Sequence, residues 1–580
     1  MIQSSIDATL QSLQNAEQAK PWNQQSVASV VRLLNAAADL FLACGNALAL
    51  ETADRMGVTP GEVWLETVFP SVWGLLSTAE GIRAGTDPSL PLNHCRSRPA
   101  NFRHTNFANH DAVQVLPANA FESLLLPGFT GHVLLNPIAS ARPRIAAEKP
   151  AFAEPVASGL ALCLLPFNLA SIGVLDIVHL LCFRQQRVVA KISEKVEFVG
   201  PHLQKILAPF IEAGALRLVR GGPDVGAQLA ARPEFSHIHL TGSTRTAQAV
   251  TQIASAGRVS AELGGVTLAI VFPDALSSPA SLRHTARQVA FGALANNGQH
   301  CVSFQAAIVP SSKEELFAEA LWKEMTWAAR RGGSQEGRRS LVDAVAAKRV
   351  ETLTSELSAK GARLTPVKPA ALERHFPACL IRGIDEKMRI FREEAFGPII
   401  GLLPLPERDF SKRALALANS NEIAGDLGVS LFTAAPGSPE TRRIATEMRH
   451  GMVMINTYPG VAFATSLPWG AGAAGFSGNG WVHNYRFLPE SQIKKVVLTA
   501  PLGRKGLGPV RWDDPWLLNV SGENTVRFAK ALIRATVAYF RKQPLRFVTA
   551  QLLLLTAIAR RELASRRADK LDSGPLRIEP

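Results

Sequence analysis

A chain of 580 residues with 47% hydrophobic and 19% charged residues is too long for one small core and too apolar for disorder, so two or three packed domains are expected. Its formal charge of +14 raises nucleic acid or an anionic membrane as partners, but residues 501–580 hold 15 Lys and Arg against 7 Asp and Glu, so most of the surplus sits in the tail. With no zinc-finger spacing, RNA-recognition aromatics or basic zipper beside that charge, no nucleic-acid partner is expected.

The N-terminus, MIQSSIDATLQSLQNAEQAK, lacks the basic start and apolar run of a secretory signal. Residues 1–85 carry apolar positions at helical spacing, as in VASVVRLLNAAADLFLACGNALALETADRM, and predict a helical region. From 86 to 155 the chain turns rich in Pro, Asn, His and Arg, which predicts loops and short strands. Residues 156–183 are apolar over a length that passes the ~20 residues of a membrane span. Pro166, Asn168, Asp176 and His179 interrupt the run, and polar groups are costly in lipid, so a buried strand, loop and helix are expected instead.

An alternation follows: strand 187–192, helix around 201–213, strand 215–219, helix near 224–232, strand 236–240 and a helix from about 245. Short β-rich runs separated by helices predict a parallel, doubly wound sheet, and a second α/β cycle runs from Glu262 to about 480. The six cysteines (Cys44, Cys95, Cys163, Cys182, Cys301, Cys379) form no CxxC pair, so neither a disulfide framework nor a metal site is expected, and a reducing, cytoplasmic location is.

Seven fragments then stand in a fixed order: LLPFNLAS (164–171), VVAKISE (188–194), HLTGSTRTA (239–247), AELGGVT (261–267), NNGQHCVS (296–303), REEAFGPII (392–400) and LPWGAGAAGFSG (467–478). Together they resemble the aldehyde dehydrogenase superfamily over roughly residues 30–500. The resemblance implies two doubly wound α/β domains, a small β oligomerisation element and, here, a helical tail. The corresponding boundaries are 1–85 for the helical start of the cofactor domain, 86–155 for loops and oligomerisation strands, 156–265 for a Rossmann-like cofactor domain, 266–480 for the catalytic domain, 481–500 for an oligomerisation strand and 501–580 for the basic tail.

Cys301 lies in a polar, Gly-containing loop just before the apolar run FQAAIV; a lone cysteine is ordinarily a small buried hydrophobe, but the matching family cysteine is the nucleophile. A thiolate there adds to an aldehyde, hydride leaves to a nicotinamide, and a thioester remains for water to cleave. By the same resemblance Glu262 is the general base and Asn168 supplies an amide to the oxyanion hole. Read alone, Glu262 is a surface glutamate and Asn168 a turn residue following Pro166. The Glu262–Cys301 interval is a few residues longer than usual, with an insertion around Ser277–Ser281.

No GxGxxG follows a strand. The resemblance instead places the cofactor's ribose on Lys191 and Glu194, its pyrophosphate at Gly242 and Ser243 where a helix begins, and its nicotinamide end at Glu394 and Phe396. A carboxylate at 194 disfavours a 2′-phosphate, so NAD is expected ahead of NADP, although Lys191 and Glu194 also read as an ordinary exposed charge pair. Ile192, Val266 and Ala473 depart from the family's usual Pro, Lys and Lys.

Residues 487–500 resemble the strand by which the family builds dimers and tetramers, so a homo-oligomer is expected. Farther on, TVRFAKALIRATVAYFRK alternates basic and apolar residues, and FVTAQLLLLTAIA (547–559) is too short to span a bilayer. Peripheral membrane contact through residues 525–570 and helix packing on a neighbouring subunit fit this pattern equally. The reaction expected is oxidation of an aldehyde, lipophilic if the tail meets membrane, to a carboxylic acid. Acyl transfer involving coenzyme A and an inert membrane-associated scaffold are the alternatives.

Overall fold

In a computed structural model the described residues are 2–83, 87–94, 103–136, 159–331, 340–367, 376–465, 467–470, 493–502, 522–554 and 556–557. Ala473, Cys95, residues 471–478 of the 467–478 fragment and residues 487–492 of the 487–500 fragment lie outside them.

Sixteen described strands form two sheets. The smaller contains β4 (Leu160–Leu164), β5 (Arg187–Ser193), β6 (Leu216–Gly221), β7 (Phe235–Gly242) and β8 (Val259–Leu263), in the order β6-β5-β4-β7-β8 with every pair parallel. This doubly wound order reverses direction between β4 and β7, and such a reversal leaves a crevice at the carboxyl ends of the strands. Each strand forms where the sequence carries an apolar run, and the intervening helices Gly200–Ile206, Ala208–Glu212, Pro223–Ala230 and Thr244–Ile253 fall at the expected positions. The apolar stretch before β5 is β4 followed by the buried helix Ala170–Cys182, as its polar interruptions require.

The larger sheet has eleven strands. β1 (Arg103–Phe107), β2 (His110–Leu116) and β3 (Thr130–Leu135) are antiparallel and lead into β16 (Ile493–Thr499). Then come β15 (Met452–Ile455), β14 (Gly428–Phe432), β9 (Thr267–Val271), β10 (Phe304–Pro310), β13 (Ile399–Leu405) and β12 (Cys379–Arg382), all parallel, and an antiparallel edge strand β11 (Arg363–Pro366). The central strands β9, β10, β14 and β15 are buried at every position, as expected of parallel strands covered on both faces.

The segment Ser277–Ser281 is the start of the helix Pro279–Leu294, where Ser278 caps the helix and Ser281 returns the bond to the cap residue. Among the described residues one helix, Val27–Met56, has the length and apolarity of a membrane span. It packs against Phe69–Arg83 and buries Val30, Leu34, Phe41 and Leu48.

The tail departs from expectation in its first half. The helix Gly522–Phe540 turns Phe528, Leu532, Ile533 and Ala535 inward, stacks Tyr539 on Phe121 and sets Phe540 edge-on to Trp73. Its apolar face is already covered by this chain's own helices, so among the described residues of the stretch 525–570 the exposed large apolar side chains are Leu545, Val548, Leu552 and Leu553.

Candidate active site

The chain around Cys301 is shaped by backbone that few residues tolerate. Asn296, Asn297 and Gly298 all have positive φ (46°, 59° and 71°), which closes a tight turn between the helix Pro279–Leu294 and β10. A Cβ on Gly298 would collide with the Gly397 carbonyl, so glycine is required there. Asn297 Nδ2 donates to the Met56 carbonyl (3.1 Å), and Gln299 Oε1 accepts from the Val342 amide (2.9 Å). These bonds hold the loop while leaving Cys301 8% exposed.

Glu262, on the last turn of sequence in β8, reaches the same place from the smaller sheet. It is 1% exposed, and its Oε1 accepts from the Trp469 indole N–H. Burial pushes its carboxyl well above the ordinary range; the nearby Asp176 adds to the rise and the Trp469 bond opposes it. Burial also pushes the Cys301 thiol up, and the charges of Glu262 and then Glu394 raise it further. Glu262 and the loop thiol are therefore close enough for the carboxylate charge to act on Cys301.

Asn168 follows β4 and touches the same loop. Its Nδ2 donates to the Gln299 carbonyl (3.0 Å), and Asn296 Nδ2 returns a bond to the Asn168 carbonyl (3.1 Å). A primary amide has two N–H groups, so this contact fixes Asn168 beside the cysteine loop and leaves a second donor.

Glu394 is half-buried, with its Oε1 shielded from solvent. Burial raises its carboxyl to about 8, partly offset by the Arg349 charge and the Gly265 amide. Its Oε1 has no hydrogen-bond partner among the described residues. A Cβ on Gly264 would fall on this carboxylate, so the glycine after β8 leaves the room Glu394 occupies. Phe396 has φ 51° and meets Phe167 edge-on at 5.6 Å.

The remaining four positions line the carboxyl edge of the smaller sheet. Lys191 lies near the end of β5, where burial lowers its ammonium and Glu194, then Asp224, oppose the shift. Glu194 begins the turn after β5, and a Cβ on Gly222 would meet its Oε2. Gly242 ends β7 and Ser243 caps the ten-residue helix Thr244–Ile253, its Oγ accepting from the Thr246 amide (3.2 Å). Among the described residues no side-chain hydrogen bond is seen between this group and Cys301 or the Glu262 carboxyl. The two sets meet through the backbone pairing of β7 with β8, where Gly242 lies in register with Leu263, next to Glu262.

Three further polar groups stand behind the cysteine. His300 Nδ1 meets the Tyr458 hydroxyl at 2.6 Å, and its Nε2 lies 3.4 Å from Glu66. Glu66 sits in the single π-turn Trp64–Val68, a device frequent at functional sites. Beside them is a cavity of about 160 Å³ with walls that include Phe69, Leu125, Phe129, Phe291 and Val461. Neither Glu66 nor Trp469 was singled out by sequence reasoning, and only an indole inside a glycine-rich apolar fragment hinted at the latter.

The aldehyde dehydrogenase family model matches residues 139–493, more than half of the sequence. This chain belongs to the aldehyde dehydrogenase family. Among its curated relatives is a probable coniferyl aldehyde dehydrogenase of Pseudomonas aeruginosa, 27% identical over 313 residues, which are 53% of this chain and 63% of that one. A vanillin dehydrogenase of Pseudomonas fluorescens is 28% identical over 330 residues, 54% of this chain and 63% of the relative. The chain thus spans less than two thirds of the length of these relatives. An NAD-dependent aldehyde dehydrogenase from Sinorhizobium meliloti shares the fold with a TM-score of 0.63 at 22% identity, covering 88% of each chain. Aldehyde dehydrogenases act on aldehydes and are typically oligomeric.

Proposed function

We propose that this aldehyde dehydrogenase oxidises an apolar aldehyde to a carboxylic acid through a thioester on Cys301. The observation that carries the reading is the approach of a buried carboxyl at the end of the smaller sheet to a loop thiol leading into the larger one, near enough that the Glu262 charge raises the Cys301 thiol. Glu262 takes the thiol proton as Cys301 Sγ adds to the carbonyl carbon. The developing alkoxide is held by the Cys301 backbone N–H and the Asn168 amide, donors of a kind worth ~3–4 kcal/mol in the transition state. Hydride then leaves the carbon, and Glu262, having given up the thiol proton to solvent, takes a proton from the water that cleaves the thioester.

The residues present fit a nicotinamide dinucleotide: a carboxylate beside Gly222, a helix N-terminus at Ser243, and the half-buried Glu394 with an oxygen still to be satisfied. When bound, it supplies the hydride acceptor. Lys191 and Glu194 would hold its adenosine ribose, Gly242 and Ser243 its pyrophosphate, and Glu394 and Phe396 its nicotinamide end. Glu194 at this position favours NAD over NADP, since a 2′-phosphate would meet a carboxylate.

The aromatic and aliphatic walls beside His300 support an apolar substrate. Water is the acyl acceptor in this reading because a buried base serves hydrolysis; transfer to coenzyme A is the second outcome. The chain works as a homo-oligomer in the cytoplasm, with peripheral membrane contact through the helix Pro544–Leu554. The test is absorbance of the reduced cofactor when purified protein meets NAD and a panel of aliphatic and aromatic aldehydes, with and without coenzyme A. Cys301→Ser is expected to lose at least ~10³-fold in rate. A serine variant as fast as the parent, or no reduction with any aldehyde, overturns the reading.

A further inference from the structure

One face of the smaller sheet is polar where its neighbour is apolar. Side chains alternate along a strand, and in β7 Ile238 and Leu240 point one way while His237, His239 and Thr241 point the other. In the adjoining β8 Ser260 and Glu262 lie in register with His239 and Thr241. The helix Ala170–Cys182 covers this face and adds Asp176, which is fully buried, and His179. Buried polar groups destabilise a core unless they are fully satisfied, so a line of them calls for a role other than packing.

Their contacts form a line. His237 Nε2 meets Ser260 Oγ at 2.9 Å, and Ser260 Oγ meets His239 Nδ1 at 2.8 Å. His239 Nε2 lies 3.6 Å from Asp176 Oδ1, while Asp176 Oδ2 accepts from the Thr241 hydroxyl at 2.8 Å. Asp176 is close enough to Glu262 to raise its carboxyl. Glu262 Oε2, Asp176 Oδ1 and His239 Nε2 are all buried and have no hydrogen-bond partner among the described residues. At the far end His237 adjoins the exposed Ser236, with Arg184, His179 and His239 as the charged or titratable groups around it.

We infer that Asp176, His239, Ser260 and His237 form a proton exit running from Glu262 beneath the helix Ala170–Cys182 to solvent. The inference rests on Glu262 acting as the base proposed above, because each hydrolysis leaves one proton on a carboxyl that is buried away from bulk solvent. The carboxyl turns from Trp469 toward Asp176, its O–H breaks, and the proton joins an Asp176 oxygen. Asp176 passes it to His239 Nε2, and His239 releases the proton on Nδ1 to Ser260 Oγ as the Ser260 hydroxyl proton moves to His237 Nε2. His237 loses its Nδ1 proton to water, so one proton leaves for each that Glu262 gained. Neutral imidazoles with two distinct nitrogens and a hydroxyl are suited to such transfer.

The residues of the line act through Glu262 and are positioning and transfer groups, so the test must separate proton exit from structure. His239→Gln and Ser260→Ala are compared with the parent in aldehyde oxidation and in hydrolysis of an activated aryl ester, which acylates Cys301 without cofactor. Each variant is expected to keep the acylation burst and the KM, to slow steady-state turnover by about 10-fold or more, and to show a larger solvent deuterium isotope effect. Added imidazole is expected to restore part of the His239→Gln rate. Turnover within about twofold of the parent in a folded variant overturns the exit, as does slowing without an isotope or imidazole response. If His239→Gln fails to fold, Ser260→Ala decides alone. Ester turnover slowed in the variants while the parent reduces no NAD with any aldehyde would support the exit and refute the oxidation. A parent inert toward both refutes both.

Discussion

The Trp469 indole N–H is the only hydrogen-bond donor seen on the Glu262 side chain among the described residues, and it acts on the group whose proton affinity sets the reaction's pH range. Burial raises this carboxyl well above its ordinary range, and the indole bond opposes the rise by favouring the charged form. Trp469→Phe keeps an aromatic ring against Phe463 but removes the donor. A hydrogen bond to a charged acceptor is worth ~1.5–3 kcal/mol, which corresponds to about one to two pH units. The base must be deprotonated to work, so the rising limb of kcat/KM is expected to move alkaline by that amount. Activity near neutrality should fall while activity above the limb approaches the parent's. A rising limb that stays in place in the variant would show that the indole does not tune the base.

At the scale of elements, the cysteine is placed by a turn whose three successive left-handed residues end in Gly298. Gly298→Ala adds a Cβ in a conformation that costs ~1–2 kcal/mol for an L-residue, and aims it at the Gly397 backbone, which cannot swing aside as a flexible side chain would. The expected outcome is a lower melting temperature by several degrees and a change of at least about tenfold in the rate of Cys301 alkylation. Equal alkylation rates would mean that the turn does not set the thiol's position. The smaller sheet was legible in the sequence because its signals are local: β5 is a run of apolar and β-branched residues, β7 alternates Ile238 and Leu240 with polar side chains, and the helices Pro223–Ala230 and Thr244–Ile253 start at a Pro and at a Ser cap. Asp176 and His179 were visible as breaks in an apolar run, but what they face depends on β7 and β8, about sixty to ninety residues away. Trp469 and Glu66 were silent for the same reason, since nothing adjacent in sequence distinguishes an indole aimed at a carboxyl from one filling a core.

The whole molecule joins the cavity beside the cysteine to the tail. Phe121 of the helix Ala120–Leu125 stacks on Tyr539 and meets Phe547 edge-on, while Leu125 of that helix lines the cavity. The helix Pro544–Leu554 therefore rests, through Phe547, on the helix that supplies Leu125 to the wall of the proposed substrate site, and it buries Ala550 and Leu554. Its other face holds Leu545, Val548 and Leu552 at 84%, 57% and 61% exposure, beside the exposed Lys542 and Arg546. Apolar residues at spacings of three and four with flanking cations suit the surface of an anionic bilayer, and an apolar aldehyde concentrates in that phase. The substitution Leu545→Ser with Val548→Ser and Leu552→Ser changes only this outward face, so the melting temperature should move little. Sedimentation with phosphatidylserine-containing vesicles, strong for the parent at low salt and weaker at high salt, should be lost. The KM for a long-chain aldehyde presented in vesicles should rise, and that for a short soluble aldehyde should not. Equal vesicle binding by parent and triple variant would place the membrane contact elsewhere, and a triple variant that changes oligomeric state would assign this face to a second copy of the chain.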